Sequence, residues 1–583
     1  MGYFLRINKK KNGTYLQMYE SYWDKNIKQA RSRYIEAFGY VEQLISDEIP
    51  DPVSYYREYV RQREAERKAA LDESTRPRIS EVSPEKNAGH FLIHTLLEML
   101  DVREVVDILS SVHQYQFSVY EMIEALICSR IISPCSKSRT VSSVFPILVD
   151  SVDISEDQVY DGCFFIGESY EKYIELFNVQ YEKLFERNFS TVYFDCTNFY
   201  FEIDVPYEDK QKGPSKENRK DPIIGQALLL DSDLVPVAMK MYPGNESEKP
   251  HLRRMIEDMK KKYNVDGRTV QVADKGLNCA RNIYAAVREA DDGYIFSRAI
   301  RGNSLSRQEK QWLLLEDDDA NRYTDVLDES GNLKYRVKSC IDTFEYSFEE
   351  PDPVTGEIIR TTFSVREKRV VSYNPDLAKK QKIEILKQAE KACGYTTHKK
   401  MAREELGDAV KYISVENRDS NGKRIKPEVQ LNQAKLEEDL QYAGYNLIVT
   451  SETEMAPEQI YEAYHGLWKI EESFRITKSF LDARPVYLQK KESIYGHFLI
   501  CYLALFLLRV LEIKCFRGKL SSNEIIRFVR DFRIVEKDDD TYINISHDRD
   551  MILKMKELTG LTNLDALFLT KKEVRNLFDN TIL

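Results

Sequence analysis

The segment Tyr464-His-Gly-Leu-Trp-Lys-Ile-Glu471-Glu-Ser-Phe-Arg-Ile-Thr-Lys478 constrains this chain more than any other. A helix turns about 100° per residue, so positions seven apart return to nearly the same face. Tyr464, Glu471 and Lys478 therefore share one side. Ile460, Ala463, Leu467, Ile470, Phe474, Thr477 and Leu481 recur at three- and four-residue steps as a buried stripe. On this wheel Glu471 borders the stripe and Glu472 points nearly away from it. One carboxylate then stands at a core edge between a phenol and an ammonium, where a metal ion or a phosphate can be held. An amphipathic helix with ordinary surface charges has the same period, so the rest of the chain must decide.

Two further acids sharpen the reading. Thr191-Val-Tyr-Phe-Asp195 and Thr269-Val-Gln-Val-Ala-Asp274 are short β-like runs, each ending in a carboxylate. Around them Ile223 to Leu230 and Leu234 to Tyr242 read as an antiparallel pair. Lys249 to Tyr263 and Cys279 to Glu289 read as helices, and Gly293 to Ser297 and Tyr445 to Thr450 as strands. That order predicts a mixed α/β sheet, and such sheets hold ligands at the carboxyl ends of their strands. Taken singly, either aspartate reads as a loop-facing cap. Three carboxylates without a histidine or cysteine cluster form an all-oxygen donor set, suited to Mg²⁺ or Mn²⁺ and not to zinc. Paired ions of that kind serve in-line phosphoryl displacement, with Lys478 and Tyr464 available to the phosphate.

At 583 residues the chain is too long for one core. Residues 1–50 read as a small basic β-rich module, with a hairpin turning at Lys11-Asn-Gly13 and a local excess of five positive charges over residues 1–40. Its lysine tip, with Tyr22 and Trp23 beyond, suits a DNA backbone as well as it suits plain solvation. Residues 51–88 read as a charged connecting helix and a linker. Residues 89–185 read as a helical domain that either binds DNA or only packs. Residues 188–300 and 441–515 form the two parts of the α/β domain. Residues 301–440, too long for a loop, read as a β-rich inserted subdomain, and 516–583 as a helical tail.

The net charge of −11 weighs mildly against nucleic acid, but the basic start keeps that partner open. Nine cysteines without a C-x-x-C pair fit a reducing cytoplasm. The start shows no apolar leader. The longest apolar run, Phe498 to Leu508, is too short to span a bilayer and reads as a buried helix.

In order along the chain stand Tyr193-Phe-Asp195-Cys-Thr-Asn, Gly213-Pro-Ser-Lys216 with Arg219-Lys-Asp221, and Pro243-Gly-Asn-Glu-Ser247. They are followed by Val272-Ala-Asp274-Lys-Gly276 and Trp468-Lys-Ile-Glu471-Glu-Ser-Phe-Arg475, then Arg484-Pro485 and Gly496-His497. In these motifs the chain resembles the bacterial insertion-sequence transposases of the DDE type, over roughly 85–515. The resemblance implies an RNase H-like mixed sheet with a β-rich insertion before the last acid. It also implies Asp195, Asp274 and Glu471 as a triad holding Mg²⁺ or Mn²⁺, two ions in all.

Tyr464 and Lys478 match the family's Tyr-Arg-Glu-Lys signature and would contact DNA phosphates. Leu467 stands where that signature has arginine; Arg475 or Lys469 could supply the charge. Lys275 replaces a frequent arginine, keeping charge but losing the bidentate fork. Lys216 and Arg219 are candidate phosphate contacts or a solvated loop, and Pro243-Gly244-Asn245 a structural turn. The implied activity is metal-dependent cleavage of transposon ends and strand transfer into target DNA. The implied partner is double-stranded DNA, both terminal inverted repeats and target, bound by a homodimer in the cytoplasm with no membrane involved. A DNA-binding descendant that no longer cuts, and a nuclease without strand transfer, carry the same residues.

Overall fold

The computed structural model describes residues 2–24, 29–46, 48–75, 85–111, 115–217, 219–302, 304–316, 322–352, 354–393, 406–418 and 424–583. Most of the expected linker lies outside them, as do Lys25, Lys28 and part of the turn-rich stretch after Asn417. The chain divides into two compact units, Met1–Val82 and Ser83–Leu583.

In the first unit Tyr3–Lys10 pairs antiparallel with Gly13–Asp24, which leaves Lys9, Lys10 and Lys11 at the hairpin tip. A third strand, Gln29–Tyr40, pairs with the second. The helix Pro52–Thr75, expected as a connector, instead packs on this sheet. Tyr56 stacks on Phe38 at 4.3 Å, Val60 is buried, and Glu64 accepts the Tyr3 N–H at 2.8 Å. Three strands cover only a narrow stripe of a helix, so this one needs little apolar surface.

The second unit is built on a nine-stranded sheet. From one edge its strands are Thr324–Leu327, Leu333–Pro351, Ile358–Tyr373, Tyr445–Thr450, Gly293–Arg298, Val270–Ala273, Thr191–Tyr200, Ile223–Leu230 and Pro236–Pro243. Thr191–Tyr200 pairs antiparallel with Ile223–Leu230, which pairs antiparallel with Pro236–Pro243. On its other side it runs parallel to Val270–Ala273, itself parallel to Gly293–Arg298. Three meandering strands followed by two parallel ones is the RNase H-like arrangement.

Two expectations need correction. The inserted segment is not set apart from the sheet, because its two long strands pair with each other and with Tyr445–Thr450 and so widen it. Only part of 375–441 closes a small core of its own, around Ile385, Ala389, Tyr412 and Leu436. The tail after 516 is not all helical: Arg533–Asp538, Thr541–Asn544 and Phe568–Thr570 join Glu85–Asn87 in a four-stranded sheet. Strands that short, paired with a segment at the far end of the unit, leave no local periodicity to read.

Both faces of the large sheet are covered. Val192, Phe194 and Cys196 pack with Leu252, Met255 and Ile256 of the helix Lys249–Lys262. Tyr193 and Phe199 face the opposite core, whose axis is the helix Lys491–Val510. With its continuation to Cys515 this helix is long and apolar enough to cross a membrane, but its most apolar window is 100% buried inside the molecule. It is the central core helix, as the apolar run suggested.

Its fit is tight. A β-carbon on Gly496 would lie 1.9 Å from the Cys163 carbonyl oxygen, and one on Gly167 1.8 Å from that of Glu492. Glycine lets the helices Glu156–Glu168 and Lys491–Val510 meet backbone to backbone. Gly496→Ala is therefore expected to cost about 1–3 kcal/mol as the helices part, read as an earlier urea midpoint.

Candidate active site

The parallel register sets the first two acids side by side. Phe194 is paired with Ala273, and the next residues are Asp195, midway along a strand that runs on to Tyr200 and does not end at the acid as expected, and Asp274, just past the end of its own. Adjacent strands lie about 4.8 Å apart. Alternation fixes their common direction, since Tyr193 and Val272 belong to the core around Lys491–Val510 and side chains two apart share a face. Ser297, on the next parallel strand, donates to Asp274 Oδ1 at 3.1 Å, and the Tyr464 hydroxyl donates to the same oxygen at 3.3 Å.

The third acid comes from the segment 457–480, which is more articulated than one helix. Pro457–His465 ends at Gly466, Leu467–Arg475 follows, and Ile476–Phe480 widens into a π turn. Gly466 lies against Tyr193, where a β-carbon would come within 2.5 Å of the ring. The helix thereby presses onto the strand that carries Asp195. The expected stripe is buried: Ile460 and Ile470 are 0% exposed and Leu467 6%.

Glu472 does not point away, however. It is buried and accepts from Arg509 at 3.0 Å and Lys469 at 3.1 Å. The wheel assumed one covering surface, whereas this helix lies between the sheet and Lys491–Val510. Glu471 is left as the exposed carboxylate, lining a cleft of about 540 Å³ with Asp274, Lys275, Ser297 and Tyr464.

The acids affect one another. Burial, and then the neighbouring charges of Asp274 and Glu248, push the Asp195 carboxyl up to about 6, against the pull of Lys216. Burial and Asp274 likewise raise Glu471. The site is short of positive charge. Lys216 supplies part of it, at 3.6 Å from Asp195 Oδ1, and its charge also reaches Glu471. Burial works against the Lys216 ammonium, but Asp195 and Glu248 outweigh it and raise its pKa. Burial and Asp274 raise the Tyr464 phenol, which stays a donor. Glu248 was not singled out from the sequence; only its place just after Pro243-Gly-Asn-Glu-Ser247 hinted at it.

The remaining candidates divide. Lys275 is exposed on the cleft wall. Lys478 meets Glu217 at 3.4 Å and lies over the Phe199 ring; burial lowers its pKa, partly offset by Glu217. Arg219 pairs with Glu202 and Asp221 and covers Tyr200 at 3.8 Å. Arg475 is exposed and 3.6 Å from Glu472. Lys469 is bound to Glu472 and Glu512.

The donor chemistry fits a hard divalent cation, because all three carboxylates offer oxygen and two are raised by burial and then by the charge of Asp274. Among the described residues, no three His, Cys, Asp or Glu side chains already form a closed metal cage.

The chain is similar in part to a solved piggyBac transposase synaptic complex with hairpin DNA, at 10% identity over 84% of each chain and a TM-score of 0.32. At that score the fold assignment rests on the strand order alone. No curated protein matches the chain. The model of the transposase DDE domain matches residues 190–507, which holds the sheet, the insertion and all three acids. More than half of the chain lies within that match, and the protein belongs to the DDE-domain transposase family.

Proposed function

We propose that this protein is a metal-dependent DNA transposase that cleaves the ends of a DNA element and joins them to target DNA. The observation that carries the reading is the register that sets Asp195 beside Asp274, with Glu471 on the wall of the cleft that Asp274 also lines. Asp195, Asp274 and Glu471 would hold Mg²⁺ or Mn²⁺, two ions in this reading. Bound there, the ions supply the charge that activates an attacking oxygen and stabilises a leaving one in an in-line displacement.

The chain's own groups do the rest. Ser297 and Tyr464 fix one oxygen of Asp274, which leaves the other for a ligand. Lys275, exposed on the cleft wall, meets a DNA phosphate, as does Lys216 from the opposite loop. Lys478 and Arg219 reach DNA once they leave Glu217 and Glu202. Arg475, already exposed, extends the contact along the backbone. The lysine-tipped hairpin of the first unit adds sequence-independent backbone affinity, and two ends joined at once call for a homodimer.

The test is cleavage and joining of the element's own end DNA by purified protein with Mg²⁺, Mn²⁺ or EDTA. Metal-dependent nicks together with joined product are expected. Nicks without joining would leave a nuclease. Tight end binding without nicks would leave a DNA-binding descendant.

A further inference from the structure

Two loops far apart in sequence meet at the rim of the acid cluster. A β-carbon on Gly213 would fall 1.8 Å from the Gly244 carbonyl oxygen. One on Gly244 would stand 2.1 Å from the Ile223 carbonyl oxygen and 2.6 Å from that of Gln211. Backbone passes directly against backbone, and only glycine at both positions allows it. Asn198, buried on the strand of Asp195, ties down the first loop: it donates to the Pro214 carbonyl at 3.2 Å and accepts the Lys216 N–H at 3.3 Å. The second loop runs from Gly244 to Glu248 at the start of the helix Lys249–Lys262. As a result the Lys216 ammonium sits 3.6 Å from Asp195 Oδ1 and 3.7 Å from Glu248 Oε1, and donates to the Cys196 carbonyl.

We propose that Lys216 is a tethered counter-cation that competes with divalent metal for Asp195, and that Glu248 is the carboxylate that keeps the ammonium when metal takes Asp195. The proposal rests on Asp195 being a metal ligand. An ammonium and a divalent ion seek the same carboxylate oxygens, and the tether makes the ammonium a permanent local competitor. Its side chain is 40% exposed, so water weakens the ion pair and displacement costs little. Glu248 lies within reach of the same ammonium. Lys216 therefore changes partner without leaving the site and stays where a phosphate oxygen can meet it. Before metal arrives it screens Asp195 from Asp274 and Glu471. After metal arrives it is a DNA contact.

The test is Mn²⁺ binding to the full chain without DNA, by electron paramagnetic resonance and calorimetry. Lys216→Met is expected to bind Mn²⁺ roughly three- to tenfold more tightly than the unmutated protein. Lys216→Gln replaces it if the methionine variant fails to fold. Lys212→Met, which removes an exposed charge from the same loop as Lys216, is expected to change the affinity by less than about twofold. Glu248→Gln is expected to weaken Mn²⁺ binding in the natural background and to have little effect once Lys216 is gone, the non-additivity of a shared partner.

An unchanged or weaker affinity in Lys216→Met overturns the proposal. So does equal tightening by Lys212→Met, or a Glu248→Gln effect that persists without Lys216. If neither the unmutated protein nor Lys216→Met binds Mn²⁺, the metal reading of the triad falls and takes the proposal with it. If the unmutated protein binds and Lys216→Met is no tighter, only the proposal fails.

Discussion

Asp274→Asn and Glu471→Gln are each expected to abolish cleavage and joining, with single-turnover rates falling by roughly 10³-fold or more, about 4 kcal/mol of barrier. The substitutions are nearly isosteric. The amide that replaces the Asp274 carboxylate keeps an oxygen that can accept from Ser297 and Tyr464, so the local hydrogen bonds survive while the charge does not. Glu471 is exposed in the cleft, and its amide would be solvated as readily as the acid. End-DNA binding measured by gel shift is expected to be kept or slightly strengthened, because phosphate affinity comes from cations and each change removes a negative charge. A rate loss of less than about tenfold in both variants would mean that these acids cap loops and do not take part in phosphoryl transfer.

The parts of this site that were legible in the sequence are those written in local periodicity. Both aspartates follow short apolar runs, legible because both faces of the sheet are buried, although Asp195 lies midway along Thr191–Tyr200 and only Asp274 stands at a strand end. The helix stripe from Ile460 to Leu481 was legible for the same reason. What depends on a second, distant surface was not. Glu472 looked outward because the wheel cannot show that Arg509, 37 residues later, waits on the other side. The strand Gln29–Tyr40 is largely exposed, so it carries no alternation. The widening of the sheet by Leu333–Pro351 and Ile358–Tyr373 is set by edge pairing, which is blind to sequence order. Lys216 and Glu248 stood in quoted or adjacent motifs, yet their meeting depends on Gly213 and Gly244 touching, which a linear reading cannot supply.

Glu471 and Glu472 are neighbours with opposite expected phenotypes, and the second carries the larger stability effect. Arg509 is 0% exposed and donates to Glu472 at 3.0 Å, Glu512 at 2.7 Å, the Lys469 carbonyl at 3.0 Å and Ser473 at 3.0 Å. Lys469 bridges the two carboxylates at 3.1 and 2.9 Å, and the Ser522 hydroxyl donates to Glu512 at 2.6 Å. Two buried acids face two inward cations, with the exposed Arg475 at the edge, so neither acid lacks a counter-charge. Arg509→Met leaves both acids in the core with Lys469 alone facing inward, and is expected to cost about 3–5 kcal/mol. Glu472→Gln strands the guanidinium less completely and should cost less.

Burial pushes Glu512 up, but Arg509, Ser522 and Lys469 together hold it below the ordinary carboxylate range. A carboxylate depressed in the folded state stabilises above its unfolded pKa, and that contribution is lost as pH falls through the folded value. The stability gap between natural and Arg509→Met proteins should therefore narrow in acid. Glu471→Gln, one residue away, should leave the unfolding free energy within about 0.5 kcal/mol of the natural protein, and so nearly the same urea midpoint, since it touches no buried network. Equal midpoints for Arg509→Met and Glu471→Gln would show that the network does not hold the glutamate helix in place. A lowered midpoint in the first, with lost cleavage but a kept fold in the second, would separate what anchors that helix from what it presents to DNA.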